Sequence, residues 1–177
     1  MKFNFNTGGK PSPAVSQAGG QNDCVIRSLA IATGLNYLDV YSDVVKFAPF
    51  CDSEGVNVLG APFLEYAERL GFVYVPKPCR PASVGYVFDV VGFKCSSILV
   101  LVQNHLTALK DNVLNDVFDC SKAEVKGYFV PKAETYNLYD LAGFRVNSNP
   151  LRYADAIQMY NIHSRNYRQN TVILPNL

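Results

Sequence analysis

A chain of 177 residues with 49% apolar and 18% charged residues and a net charge of +1 has the size and composition of one globular domain with an appendage. It is too apolar to be a disordered chain and long enough to bury a core without disulfide or metal staples. Sixteen Lys and Arg against 15 Asp and Glu leave no basic excess of the kind that draws a polyanion, so a nucleic-acid partner is not expected.

No run approaches the roughly 20 apolar residues of a membrane-spanning helix. The opening stretch from Met1 to Pro13 lacks the apolar segment of a secretory signal. Five cysteines, Cys24, Cys51, Cys79, Cys95 and Cys120, form no C-x-x-C pair. An odd count without that spacing argues against a disulfide framework and against a zinc site, and free thiols suit a reducing compartment. No metal or other cofactor is expected.

In chain order, residues 1–20 are rich in glycine and proline (Gly8, Gly9, Pro11, Pro13) and read as an irregular arm. Asn22-Asp23 then precede a dense apolar run closed by Gly34, which predicts a helix over 23–33. It is apolar on nearly all sides, so it belongs inside the domain. Asn36 predicts the start of a second helix over 37–48, stopped by Pro49, and Pro62 opens a third that ends at Gly71. Phe72–Val75 reads as a short strand and residues 83–91 as a short helix.

From Ser97 the pattern turns to strands. Ile98–Val102 is continuously apolar, as in a strand covered on both faces. Leu106–Leu109 and Val113–Phe118 flank Asp111-Asn112, a two-residue loop that predicts a tight hairpin, and Val125–Val130 supplies another strand. Helices first and strands later predict an α+β domain over residues 21–130. Residues 131–177 read as a C-terminal extension, with a helix from Asn149-Pro150 to Tyr160 and a short apolar tail, Thr171–Pro175.

Cys24 falls in the first turn of the predicted buried helix. The partial positive charge and unpaired N–H groups there favour thiolate over thiol and can hold an oxyanion. A buried helix cysteine can equally be a small hydrophobe. A thiol nucleophile needs a base and a group to orient that base. His105 opens the strand after the buried run, and the chain has one other histidine, His163. If Asp111-Asn112 form the whole loop, opposed positions sum to 223, so Thr107 faces Asp116 and His105 faces Phe118. Asp116 then shares the face of His105 as its diagonal neighbour. A three-residue loop would select Asp119 instead.

Asn22-Asp23-Cys24-Val-Ile-Arg-Ser-Leu-Ala, then Asn104-His105-Leu-Thr-Ala-Leu and Asn115-Asp116-Val-Phe-Asp-Cys-Ser, resembles the papain-like cysteine peptidase superfamily, closest to small papain-like proteins of bacteriophages. The cysteine segment is also locally similar to that of ovarian-tumour-family deubiquitinases. The resemblance spans roughly residues 15–130 and implies N-terminal helices, with the cysteine on a central helix packed on an antiparallel sheet. It implies Cys24 as nucleophile, His105 as base and acid, and Asp116 as orienter. Asp116-Val117-Phe118 stands where papain-type enzymes have Asn-Ser-Trp, the aromatic shielding the His–Asn pair. Where that family has an oxyanion-hole Gln, six residues before the cysteine, this chain has Ala18, which leaves Gln17, Gln21 and Asn22 as substitutes.

The resemblance implies a phage-encoded thiol hydrolase that cleaves an amide or isopeptide bond in a protein or peptide. It would work in the host cytoplasm or the virion. The rival expectation is a non-catalytic papain-like domain that serves as a structural or adaptor component of the virion. Residues 145–177 carry four Arg, one Asp, six Asn and three Tyr. Such an arm suits docking to virion proteins or self-association.

Overall fold

The computed structural model describes residues 1–12, 23–48, 55–77, 81–91, 96–140, 142, 144–163 and 171–176. The elements in order are β1 (Lys2–Phe5), α1 (Cys24–Thr33), α2 (Tyr37–Val44), α3 (Ala61–Arg69), β2 (Phe72–Pro76), α4 (Val84–Val91), β3 (Ser97–Val102), β4 (His105–Lys110), β5 (Val113–Asp116), β6 (Val125–Pro131), β7 (Tyr136–Asp140), α5 (Tyr153–Ile162) and β8 (Thr171–Pro175). The class is α+β.

The helix ends follow local chemistry. Gly34 closes α1 in the left-handed conformation (φ 77°), and its N–H donates to the Ala30 carbonyl. The Asn36 side chain accepts from the Leu38 N–H and so opens α2. Pro62 sits in the first turn of α3, where no helical N–H is lost. Residues 45–48, expected within α2, tighten into turns after Val44.

The main sheet has the order β1-β5-β4-β3-β6-β2. All neighbours run antiparallel except β1, which is parallel to β5. Between β4 and β5, Asp111 and Asn112 are both left-handed (φ 51° and 64°). That is a type I′ turn, whose twist matches the flanking strands and whose αL positions Asx residues tolerate. Lys110 faces Val113, Leu109 faces Leu114 and Ala108 faces Asn115, so the two-residue register holds.

Alternation along the central strands splits the core in two. Leu99, Leu101, Leu106 and Ala108 turn to one face, where α1, α2 and α3 cover them with Ile26, Leu29, Tyr37 and Phe63. Ile98, Val100, Leu109 and Leu114 turn to the other. That second face is covered by Val84 and Phe88 of α4 and by the C-terminal elements, through Leu138, Ala156 and Ile173. Both faces of β3 are therefore buried along its whole length.

Three stretches differ from the sequence-based expectation. Residues 2–5, expected to be irregular, form the edge strand β1. The C-terminal helix begins at Tyr153 rather than Asn149, because Leu151 forms a backbone bridge with Tyr136 (N···O 2.7 and 2.9 Å) that keeps the preceding residues extended. The apolar tail is β8, which pairs antiparallel with β7, a strand the sequence pattern did not mark. The Tyr128 hydroxyl accepts from the Ile173 N–H at 2.8 Å and fixes this small sheet to β6.

In the extension, the tyrosines that suggested docking serve the chain itself. Tyr160 is buried, and its hydroxyl donates to the Lys77 carbonyl. The Tyr153 hydroxyl donates to the Tyr74 carbonyl. Tyr167 lies outside the described residues.

Deleting residues 171–177 would remove Val172, Ile173 and Leu174, all buried. Each large-to-small loss of this kind costs about 2–5 kcal/mol. The expected outcome is a chain without a cooperative thermal transition, read by circular dichroism. A truncated chain that melts within a few degrees of the full chain would contradict this packing.

Candidate functional site

Cys24 occupies the first position of α1, and α1 packs on β4. The Ser28 hydroxyl donates to the Leu106 carbonyl at 2.7 Å and pins the helix to the strand one residue past His105. His105 follows the tight Gln103-Asn104 connection between β3 and β4, across from Val102. Asp116 closes β5. Its Oδ2 lies 2.6 Å from His105 Nε2, while its Oδ1 accepts from the Val117 N–H at 2.7 Å. On its far side β5 pairs with β1, and the Asn6 N–H donates to the Asp116 carbonyl at 2.8 Å.

Three side chains from α1, β4 and β5 thus form one hydrogen-bonded chain, Cys24–His105–Asp116. With Nε2 on the carboxylate, Nδ1 is the ring nitrogen left for the sulfur. Phe118 stacks on the imidazole (ring centroids 4.6 Å apart, 38° between planes) and is itself half exposed, so it covers the ring from solvent. Asp119, the reserve orienter, points elsewhere: its Oδ1 accepts from the Ser121 N–H at 2.9 Å in an exposed turn. The two-residue loop at 111–112 is the reason, since it places Asp116 and not Asp119 on the His105 face. Gln17, Gln21 and Asn22, the oxyanion-hole candidates, lie outside the described residues, as do Cys51, Cys79 and Cys95.

The electrostatics reinforce the geometry. Burial pushes the Cys24 thiol up. The His105 hydrogen bond, the Leu106 N–H, the imidazolium charge and the Val25 N–H together outweigh burial and hold the thiol below its ordinary value. Burial lowers His105, but the bonds to Asp116 and Cys24 raise it to about 9. Burial raises Asp116, and the His105 bond, aided by the Thr107 side chain, holds it below the usual carboxylate range. Both shifts run in the direction that favours a thiolate–imidazolium pair, oriented by a carboxylate.

The buried Cys120 thiol is pushed up to about 11 by desolvation. Ligand atoms of His105, Asp116 and Cys120 lie within 4.8 Å of one another, so this is the group of described residues that could hold a metal ion. In this arrangement His105 and Asp116 spend their facing atoms on each other.

A cleft of about 820 Å³ opens over Cys24 and His105. One wall is Val56, Val58 and Leu59. The other is Gln103, Asn104 and Phe118. Among the described residues that line it there is no carboxylate, and Arg27 is the one permanently charged side chain.

The buried cluster behind Cys24 escaped the sequence reading. Asp23 is buried, its Oδ2 lies 2.8 Å from Lys10 Nζ and 2.7 Å from the Tyr37 hydroxyl, and Arg27 pairs with its Oδ1. One mark of it was legible: Asp23 and Arg27 stand four apart around an otherwise apolar helix, the spacing of an intrahelical ion pair.

Comparisons of the chain with family models, with curated proteins and with solved structures found no match. The class defined by fold and site is therefore an α+β domain bearing a partly buried Cys–His–Asp hydrogen-bonded chain in the wall of an open cleft.

Two outcomes test this electrostatic arrangement. By NMR, the His105 imidazole should titrate near 9, and Asp116→Ala should move its midpoint down by at least about one unit. Because the folded-state value lies above the unfolded one, the stabilisation linked to His105 is complete below about 6.5 and is lost as pH rises through about 9. Iodoacetamide should alkylate Cys24 well before Cys120, and His105→Ala should slow that labelling. Equal rates at the two thiols, unchanged by His105→Ala, would contradict an activated Cys24.

Proposed function

We propose that the protein is a papain-like thiol hydrolase that cleaves an amide or isopeptide bond in a protein or peptide. The observation that carries this reading is the hydrogen-bonded order Cys24–His105–Asp116, with the sulfur at a helix start and beside an open cleft. The α+β layout, with α1 against the strands that bear His105 and Asp116, is what the papain-like resemblance implies, as is an aromatic cover on the imidazole.

The chemistry runs through these groups. The Cys24 thiolate attacks the carbonyl carbon; the C–S bond forms as the C=O π pair moves onto oxygen. N–H groups at the start of α1 stabilise that oxyanion. As the tetrahedral intermediate collapses, the C–N bond breaks and imidazolium His105 gives its proton to the leaving amine. Water then attacks the thioester while neutral His105 takes its proton. The C–S bond then breaks with its electron pair returning to sulfur, the acid product leaves, and the Cys24 thiolate with the protonated His105 restores the ion pair. Asp116 holds the ring so that Nδ1 faces the sulfur throughout. No cofactor enters these steps.

Val56, Val58, Leu59 and Phe118 on its walls suit the cleft to apolar substrate side chains. A phage origin and action in the host cytoplasm or virion belong to the same reading.

The test is turnover of a protein-derived peptide library followed by mass spectrometry. Cleavage should occur beside apolar residues and disappear in Cys24→Ala. Asp116→Ala should lower kcat by roughly 10²-fold or more, the scale of a mispositioned base. The kcat/KM profile should be bell-shaped, with its basic limb near 9, where His105 loses its proton. Fast labelling of Cys24 without cleavage of any library member would favour the rival reading, a non-catalytic structural or adaptor domain of a virion.

A further inference from the structure

The residue before Cys24 carries the most common kind of helix-capping side chain, yet it does not cap. An Asp at the N-cap ordinarily accepts from the N–H of the second or third helical residue, here Val25 or Ile26. The Asp23 side chain makes no such bond. Its carboxylate is turned into the protein. There it meets Lys10 Nζ (2.8 Å), the Tyr37 hydroxyl (2.7 Å) and the Arg27 guanidinium. Meanwhile the Val25 N–H, one of the two a cap would occupy, serves the Cys24 sulfur.

We infer that Lys10, Tyr37 and Arg27 are positioning residues that hold the Asp23 carboxylate off the start of α1, keeping its N–H groups for the Cys24 sulfur and the substrate oxyanion. A carboxylate swung onto the helix start would do two things at once. It would occupy the donors that stabilise negative charge there, and it would set a second anion against the thiolate. Because this inference names the support of the same site, it rests on the thiol hydrolase reading.

The three holders come from three places. Arg27 is one turn along α1, so its reach to Asp23 is fixed by the helix. Tyr37 begins α2 and is fully buried. Lys10 belongs to the N-terminal segment, whose course is closely set. β1 pairs with β5, and Gly8 then passes against the α1 backbone. There a Cβ would stand 2.8 Å from the Arg27 carbonyl oxygen, and φ is +65°. Only glycine meets both demands. Lys10 therefore reaches Asp23 because the segment is held at β5 on one side and at α1 on the other.

Among the described residues, the charged and titratable groups around Cys24 and Asp23 are His105 of β4, Asp116 of β5, Arg27 of α1, Tyr37 of α2 and Lys10. β3 presents Leu99 and Leu101 to α1.

The experiment is the rate of Cys24 alkylation by iodoacetamide near pH 6 in the full-length chain, read on the labelled peptide by mass spectrometry. Tyr37→Phe changes no charge at that pH, so any effect reports where the carboxylate sits. Labelling should slow about threefold to tenfold, the scale of an added cap and anion at a thiolate. Adding Asp23→Ala should bring it back to within about twofold of wild type. Lys10→Gln should behave in the same direction. Amide hydrogen exchange gives a readout that needs no double variant: Val25 or Ile26 should become more protected in Tyr37→Phe.

Unchanged labelling in both Tyr37→Phe and Lys10→Gln overturns the inference and leaves the hydrolase reading in place. Slower labelling that Asp23→Ala does not restore, with no gain in amide protection, also overturns it, because that is general loosening. A wild-type Cys24 no more reactive than an ordinary thiol overturns both.

Discussion

The site depends on the length of one turn. Asp111 and Asn112 connect β4 to β5 with both residues left-handed, and this fixes which side chains of the two strands share a face. One residue more or less in the loop would move Asp116 to the opposite face and leave His105 without its carboxylate. The same register places Leu109 and Leu114 in the core beyond the sheet and Ala108 beneath α1. Core packing therefore holds the His105–Asp116 pair in place, because a slip that broke the pair would also expose several apolar side chains.

Given that register, the three ionisable groups can be buried together. Burial opposes the charged form of each: it pushes Cys24 and Asp116 up and His105 down. In every case the neighbours reverse the direction, since each charge faces an opposite one or N–H donors. Phe118 excludes water from one side of the imidazole, which strengthens the bonds beneath it. The chain Cys24–His105–Asp116 is stable only as a unit. Removing any member leaves the others in an environment that disfavours their charge.

Much of this was legible in the sequence because local chemistry was decisive. Asn36, Pro62 and Gly34 mark helix ends by bonds or backbone angles that only a few residue types supply. The Asp111-Asn112 pair gave both the hairpin and the choice of Asp116. What stayed hidden depends on distant partners. β1 puts Phe3 and Phe5 on one face but leaves both exposed, so it buries little by itself and becomes a strand by pairing with the edge of β5. β7 and β8 are short and mostly covered, so neither shows the alternation that betrays a half-exposed strand. Helix α5 starts late because Leu151 bonds to Tyr136, fifteen residues upstream. The ion cluster at Asp23 needs Lys10, which the topology alone brings to the helix start.

The way the main sheet ends has a consequence for how the protein behaves among copies of itself. A strand with an open row of N–H and C=O groups invites another chain to extend the sheet. At one side that row would belong to β5, the strand bearing Asp116, and β1, Lys2 to Phe5, occupies it with the chain's own backbone. At the other side, β2 closes with Pro76, which has no N–H to offer. β1 thus becomes the margin of the sheet in place of β5. The strand that carries the carboxylate of the site never has to serve as a surface for foreign backbone, and that keeps its hydrogen-bonding capacity for the chemistry at its end.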